Sequence, residues 1–363
     1  MAGVYISWPF CAQKCTYCNF ASGVFPRELE DRYLRALLSE LTGTGWSWTP
    51  QTVYLWGGTP GSMTPDQLRD VLTAVPGRPW KEATLEAAPG AITPGGARAW
   101  LECGSNRGSR GVQSFVESEL RRTGRRHTAE GVACDVALLR AAGFAEINID
   151  LIAGLPGQTE ASWRASLDWI ERLGPPHVSV YMLEVDEDSR LGRELLAQGR
   201  RFGALDVPSG DATAEFYEIA VERLAALGLE RYEISNFARR GSESLHNLKY
   251  WQLEPYLGFG ADAHSFDGRL RWQNAETALE YVERHEAGLP LRCETTEADI
   301  AGERFWVGLR LLRGIAPPPS ERASRASAIA RLVNAGLLED DGAILRLTPR
   351  GVLLSNEVFE AFL

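Results

Sequence analysis

The chain lacks the long apolar runs, the dense cysteines and the excess of basic residues that mark several large classes of protein. No apolar run approaches the ~18 residues that a membrane-spanning helix needs. Residues 1–10 have neither a basic start nor a long apolar stretch, so we expect no signal peptide. With 6 cysteines in 363 residues the chain is not a disulfide scaffold, and we expect a cytoplasmic protein with reduced thiols.

Basic residues are outnumbered, with 38 Lys and Arg against 48 Asp and Glu and a net charge of −10. This balance argues against nucleic acid as the main partner. Hydrophobic residues at 44% and charged residues at 24% exclude a disordered or fibrous chain. The length favours two domains, a large one and a small one.

Short apolar runs alternate with longer amphipathic stretches over the first two-thirds of the chain. Strands are predicted at Val4–Ile6, Val53–Trp56, Thr84–Ala87, Gly108–Val112, Ile147–Ile152 and Val178–Leu183. Helices are predicted at Arg27–Leu41, Pro65–Ala74, Ala129–Ala142 and Glu160–Leu173. This alternation predicts an α/β fold with a parallel sheet and right-handed crossovers. Six units fit an open or partial barrel better than a complete eight-unit one, although periodicity alone does not separate it from a doubly wound sheet.

The pattern changes after about residue 205, and we divide the chain into regions 1–205, 206–296 and 297–363. The middle region begins with a long helical stretch, Ser209–Leu227, and continues into a loop-rich segment, Tyr232–Phe266. The last region has the order of a winged helix, because helical stretches are followed by a short hairpin around Asp340–Gly342.

Three cysteines lie within eight residues of one another, at Cys11, Cys15 and Cys18. Thiolates at these spacings are suited to three irons of a four-iron cluster, whose fourth iron is then free to bind a substrate. A structural zinc ion and inert thiols are the alternatives. Zinc is the poorer fit, since it wants four ligands and the first hundred residues hold no histidine or fourth cysteine.

This loop, with Tyr17 before its third cysteine, resembles that of the radical S-adenosylmethionine (SAM) superfamily. The resemblance implies a partial (β/α)6 barrel, a [4Fe-4S] cluster on the three cysteines, and SAM bound at the open iron and cleaved to a 5′-deoxyadenosyl radical by one electron. Five further segments match one subgroup, which contains oxygen-independent coproporphyrinogen III oxidase and the heme chaperone HemW branch. They are 56–60, 111–115, 148–158, 232–237 and 246–264. The resemblance covers nearly the whole chain, including a smaller C-terminal, mainly helical, winged-helix-like domain.

The resemblance also implies a set of SAM contacts, taken residue by residue. The glycine turn after the second strand allows bare backbone to approach a ligand closely, and the resemblance implies that it contacts the amino group of the methionine moiety of SAM. Glu86 and Asp150 belong to strand ends, where carboxylate oxygens suit a ribose with vicinal hydroxyls. The set is Tyr5, Gly57, Gly58, Thr59, Glu86, Gln113, Arg125 and Asp150.

Two features favour the heme chaperone branch over the oxidases. Phe20 stands where the oxidases carry an additional cysteine. Residues 246–251 match the HNxxYW pattern of the chaperone branch, which implies heme binding by His246, Tyr250 and Trp251. His264 is a second candidate for the heme ligand. The alternative is oxidative decarboxylation of coproporphyrinogen III, or another radical reaction on a tetrapyrrole.

The resemblance implies heme and acceptor hemoproteins as partners, and a one-electron donor such as flavodoxin or ferredoxin if SAM is cleaved. Peripheral association with a membrane stays open. Two positions depart from the family pattern: Ser7 replaces a usual histidine, and Trp56 replaces a usual glycine. Arg110 is unusually polar for a barrel strand.

Overall fold

A mixed sheet of twelve strands runs through most of the molecule. The computed structural model describes residues 2–363. In chain order the strands are β1 (Gly3–Trp8), β2 (Thr52–Gly57), β3 (Glu82–Ala87), β4 (Arg107–Gln113), β5 (Glu146–Ala153), β6 (His177–Met182), β7 (Glu230–Arg231), β8 (Asn236–Ala238), β9 (Tyr256–Phe259), β10 (His264–Phe266), β11 (Leu270–Asn274) and β12 (Arg292–Glu297). Their order across the sheet is β12-β11-β10-β9-β1-β2-β3-β4-β5-β6-β8-β7. Strands β1 to β6 run parallel, which confirms the predicted α/β sheet.

The helices of this part of the chain are α1 (Arg27–Gly43), α2 (Pro65–Thr73), α3 (Pro94–Glu102), α4 (Glu117–Arg122), α5 (Ala129–Ala142), α6 (Glu160–Leu173), α7 (Arg190–Leu196) and α8 (Gly210–Ala226). Helices α1 to α6 connect the parallel strands, and α7 and α8 follow β6, where α7 contacts the cysteine loop through the Leu191 amide and the Thr16 carbonyl. Their ends follow from local sequence. Thr64 caps α2 by accepting from the Gln67 amide, and Gly143 ends α5 with a positive φ of 111°.

The alternation of side chains along each strand separates a helix-covered face from an inner face. In β1, Val4, Ile6 and Trp8 are fully buried beneath the helices, and Trp8 meets Tyr33 of α1 edge-on at 5.8 Å between ring centroids. Tyr5 and Ser7 point to the opposite, inner face. The carboxyl ends of the parallel strands meet at one edge, which we call the upper end of the barrel.

The segment that the sequence indicates to be loop-rich contributes to the same sheet. Strand β9 lies parallel to β1 on the side away from β2, and β10 to β12 continue from it in antiparallel order. Helix α9 (Leu245–Trp251) lies in the same segment. The region boundaries at 205 and 296 stay predictions.

The last part of the chain is mainly helical and carries a short hairpin. Its elements are α10 (Ala278–Glu286), α11 (Ile300–Trp306), α12 (Pro319–Ser324), α13 (Ala326–Asn334), β13 (Leu338–Asp340), β14 (Leu345–Leu347), α14 (Pro349–Leu353) and α15 (Ser355–Glu360). Arg310 forms an ion pair with the buried Glu233, between β7 and β8, at 3.4 Å, and Arg271 of β11 forms one with Glu303 of α11 at 2.6 Å. These ion pairs connect the helical region to the two opposite edges of the sheet. Within residues 2–363, every helix is too short or too polar to cross a lipid bilayer.

Candidate functional site

The cysteine loop leaves the upper end of β1 and is closed by backbone hydrogen bonds. The Cys11 amide donates to the Gly23 carbonyl at 2.8 Å, and the Gly23 amide donates to the Pro9 carbonyl at 2.9 Å. All three cysteine side chains are half-buried and free of disulfides. Partial burial raises the pKa of the Cys11 thiol, and the Thr59 hydroxyl lies 3.7 Å from its sulfur. The loop thus presents three thiols at the upper end of the barrel.

The three thiols are not arranged to hold a single metal ion. Over residues 2–363, no three His, Cys, Asp or Glu side chains are grouped to hold one metal ion. A four-iron cluster instead binds each thiolate on a different iron atom, so its ligands are spread further apart.

The glycine turn after β2 packs directly against the start of the cysteine loop. The Thr59 amide donates to the Phe10 carbonyl at 2.9 Å. A Cβ atom on Gly58 would come within 2.7 Å of the Trp8 carbonyl oxygen, so only glycine allows this approach. Gly57 has a φ of 111°, which also favours glycine. The structure therefore brings two of the sequence-predicted motifs into contact.

Two carboxyl groups of the predicted set lie on the inner face, Glu86 on β3 and Asp150 on β5. Tyr54 donates its hydroxyl to Glu86 at 2.9 Å, and Asn148 donates to Asp150 at 2.7 Å. Withdrawal from water raises the pKa of both carboxyls, and the Asp150 charge raises that of Glu86 further, to well above its ordinary value. Tyr5 of β1 contributes to the same face, and its ring lies 6.0 Å from that of Trp56.

Gln113 and Arg125 meet at an irregularity near the upper end of β4. The register shifts between Gly111 and Gln113, and Gln113 adopts a φ of 70°. Arg125 donates to the Gly111 carbonyl at 2.5 Å and to the Tyr17 hydroxyl at 3.3 Å, which links β4 to the cysteine loop. The buried Oε1 of Gln113 has no hydrogen-bond partner in residues 2–363, so it is an acceptor available to a bound molecule.

His127, which sequence reasoning left aside, lies next to this irregularity. Burial and the Arg125 charge lower the pKa of His127 to about 4, so the ring is neutral at physiological pH. The backbone of Val112 and Ser114, on either side of Gln113, favours the charged ring and so opposes this lowering, and the buried Nε2 of His127 has no hydrogen-bond partner in residues 2–363. The only feature of the sequence that could have indicated a role for His127 is its position, two residues after Arg125.

The structure gives a reason for Arg110, which points away from the inner face. It is fully buried, with its guanidinium 5.3 Å from the centre of the Trp100 ring of α3. Burial lowers the pKa of Arg110 to about 10, and the carboxylate of Asp135 on α5 opposes that effect. The residue packs strand against helix and lies outside the site.

The HNxxYW segment lies at the opposite, lower end of the barrel from the cysteines. It forms α9, whose first amides are capped by Glu82, the first residue of β3: Leu245 and His246 donate to its carboxylate at 2.8 and 2.9 Å. The His246 ring is buried, and each of its nitrogens has a partner, the Thr52 hydroxyl at 2.8 Å and the Tyr250 hydroxyl at 2.8 Å.

These contacts show what the motif does in the fold. Burial lowers the pKa of His246 to about 3 and keeps the ring neutral. Trp251 lies beneath the guanidinium of Arg310, 4.4 Å from the ring centre, at the junction with the helical region. His246 and Tyr250 therefore fill the lower end of the barrel and are not brought together with the cysteines.

His264, the second histidine candidate, is placed differently. It begins β10 and is exposed, and its ring makes no hydrogen bond or ion pair in the part of the chain that the structure describes. It lies on the inner face of the sheet, since it is opposite Gly258 of β9, which in turn pairs with Tyr5 of β1.

The cysteine loop, the adjoining glycine turn and the partial barrel define a radical SAM protein, and comparison with known proteins agrees. Residues 5–170 match the model of the Radical SAM superfamily, and residues 295–354 match the HemN C-terminal domain. The Escherichia coli coproporphyrinogen III oxidase (HemN) has the same fold, with a TM-score of 0.86 at 22% identity over 99% of this chain and 89% of that one.

Relatives that match over their full length identify the family. The heme chaperone HemW of Bacillus subtilis is 36% identical over 382 residues, covering 100% of this chain and 99% of that protein. The HemW proteins of Mycobacterium tuberculosis (strain H37Rv) and Escherichia coli are 34% and 30% identical, each over 99% of this chain and over 94% and 97% of their own lengths. The chain belongs to the heme chaperone HemW family of radical SAM proteins.

Proposed function

We propose that this protein binds heme and delivers it to acceptor hemoproteins, and that it carries a [4Fe-4S] cluster and SAM at the upper end of its barrel. The observation that carries the heme function is the full-length similarity to relatives named heme chaperones. The similarity begins in the first strand and extends through the C-terminal region, so it includes every group described above.

Three observations support the cluster at Cys11, Cys15 and Cys18. The thiols share one loop, they are accessible, and the hydroxyl of Thr59 is positioned to donate to the sulfur of Cys11. A hydrogen bond to a thiolate stabilises its charged form, so it assists metal binding. A cluster bound here would supply single electrons to SAM at the iron that no cysteine holds.

The chain's own groups suit SAM beside that loop. Gly57 and Gly58 bring bare backbone close to the loop, and Thr59 lies at their junction with it. On the inner face, Glu86 and Asp150 offer carboxyl oxygens to ribose hydroxyls.

Two further residues support the proposed contacts. The unpartnered Oε1 of Gln113 is positioned to accept a hydrogen bond, and Arg125 supplies a cation that is already fixed by Tyr17 and by the Gly111 carbonyl. Tyr5 lies on the same inner face, with its ring 6.0 Å from that of Trp56.

The experiment is an anaerobic titration of the cluster-loaded protein with hemin, followed by mixing with an apo-hemoprotein. Saturable binding of about one hemin per chain, and appearance of the acceptor's holo spectrum, are the expected results. Binding that does not saturate would contradict the proposal. Formation of protoporphyrinogen from coproporphyrinogen III, with SAM and a one-electron donor, would replace it with the oxidase function.

A further inference from the structure

A cavity of about 180 Å³ lies where the end of α9 meets the helical region. Its walls come from the last residue of α9 and the two residues after it, from α11, and from the segment 308–316. Leu311 is buried and Ile315 is half-buried, so part of the wall is apolar, whereas Gln252 and Arg313 are exposed and mark the opening to solvent. Pockets that enclose a whole small molecule measure about 300–1,000 Å³. This cavity is therefore suited to one substituent of a larger ligand.

The charged side chains of the cavity are cationic. Arg304 and Arg313 line it, and none of the described residues that line it is acidic. Arg304 already forms an ion pair with Glu321 at 2.8 Å, but Arg313 makes no hydrogen bond or ion pair within residues 2–363. Trp251 also lines the cavity, and its buried Nε1 has no hydrogen-bond partner among the same residues. A buried donor without a partner, close to a free guanidinium, suits an anionic acceptor.

The backbone of Arg313 belongs to a turn that its neighbours hold in place. The Gly314 amide donates to the Leu311 carbonyl at 2.9 Å, and Gly314 has a φ of 78°, which favours glycine. The next residue, Ile315, exchanges two backbone hydrogen bonds with Leu345 of β14, at 2.8 and 2.9 Å. Arg313 is thus held beside the cavity before any ligand arrives, which lowers the entropic cost of binding.

The cavity begins at the last residue of the HNxxYW segment, which the resemblance implies for heme. We propose that it is a carboxylate subsite, in which Arg313 and the indole N–H of Trp251 hold one propionate group of a heme bound at α9. This inference rests on the proposed heme function and assigns a place to one edge of the porphyrin. An arginine can form two parallel hydrogen bonds with a carboxylate, and the apolar wall at Leu311 and Ile315 suits the methylene carbons of the propionate.

The test compares hemin with hemin dimethyl ester, whose propionates carry no charge, using anaerobically purified cluster-loaded protein. Arg313→Ala should weaken hemin binding by about fivefold to tenfold, because an exposed, charge-assisted hydrogen bond is lost. Binding of the ester should change less than about twofold, since the ester has no carboxylate for the guanidinium to bind.

Two further variants complete the comparison. Trp251→Phe keeps an aromatic ring and removes the N–H, so it should also weaken the binding of hemin more than that of the ester. Arg331→Ala removes an exposed arginine of α13 that lies outside this cavity, and it is the matched control. It should bind both porphyrins as the wild type does.

The outcomes separate this inference from the function on which it rests. If the wild type binds hemin saturably and Arg313→Ala binds it equally well, or loses hemin and the ester to the same extent, the carboxylate subsite is overturned and the chaperone function stands. If the wild type itself fails to bind hemin saturably, both are overturned. Circular dichroism and the urea midpoint, which should not change in Arg313→Ala, exclude misfolding as the cause of a loss.

Discussion

Replacing His246 by alanine should destabilise the protein by about 3–5 kcal/mol, because the ring joins α9 to the lower end of the barrel. The substitution leaves the Thr52 hydroxyl without its partner, and likewise that of Tyr250, in a buried setting where each unsatisfied group costs about 1–3 kcal/mol. It also leaves a cavity the size of an imidazole, since the His246 side chain is fully buried.

The measurement is equilibrium unfolding in urea under anaerobic conditions, followed by tryptophan fluorescence. His285→Ala, at a half-buried position of α10, is the control. We expect His246→Ala to unfold at a clearly lower urea concentration than either the wild type or the control. Equal midpoints for the two variants would refute the structural role given to the ring. The result also bears on any heme titration of His246→Ala, since a loss of binding there would follow from a damaged barrel.

The pH dependence provides a second measurement on the same residue. Its pKa is about 3 in the native state and about 6.5 in the unfolded chain, so below pH 6.5 the unfolded state binds a proton that the native state does not. The stability contributed by the neutral ring is complete above pH 6.5 and is lost as the pH falls toward 3. In His246→Gln this loss is absent. The gap in unfolding free energy between wild type and His246→Gln should therefore shrink by about 1.4 kcal/mol from pH 7.5 to pH 5.5, and a constant gap would contradict the assignment.

Other substitutions test the upper end of the barrel. Cys15→Ala should lower iron and sulfide well below about four per chain after anaerobic reconstitution, whereas Cys134→Ala, an exposed cysteine elsewhere, should leave both unchanged; equal contents would remove Cys15 from the ligand set. Glu86→Gln should weaken SAM binding in calorimetry yet stabilise the SAM-free protein by roughly 1–2 kcal/mol at pH 7.5, because the raised pKa makes the ionised carboxyl unfavourable there, and the gain should shrink as the pH falls. A lower urea midpoint for Glu86→Gln would show that reasoning to be wrong.

The first half of the fold could be predicted from sequence because its signals are local. Strands β1 to β6 alternate with amphipathic helices, and each begins and ends within two residues of its predicted limits, even in the polar β4. The start of α2 at Thr64 and the end of α5 at Gly143 are likewise determined by neighbouring residues in the sequence. The cysteine spacing depends on eight residues and needs no knowledge of the rest of the chain.

The second half could not be predicted in the same way, because its strands are short and their partners are distant. Strand β9 has four residues, and its position is set by pairing with β1, more than 250 residues earlier in the chain. Helix α9 occupies the lower end of the barrel because Glu82 and Thr52 lie there, and neither contact leaves a sequence pattern. Phe20 and Trp56 come from separate segments of the chain, so only the folded protein shows that they are neighbours.

The central position of β1 in the sheet has a consequence for synthesis on the ribosome. Its first neighbour, β2, is complete by residue 57, but its second neighbour, β9, is not made until residue 259. For some 200 residues of elongation, β1 is an edge strand with a free row of amides and carbonyls, which is a template for aberrant pairing. Fragments that end before β9 should therefore aggregate even though they contain all three cysteines.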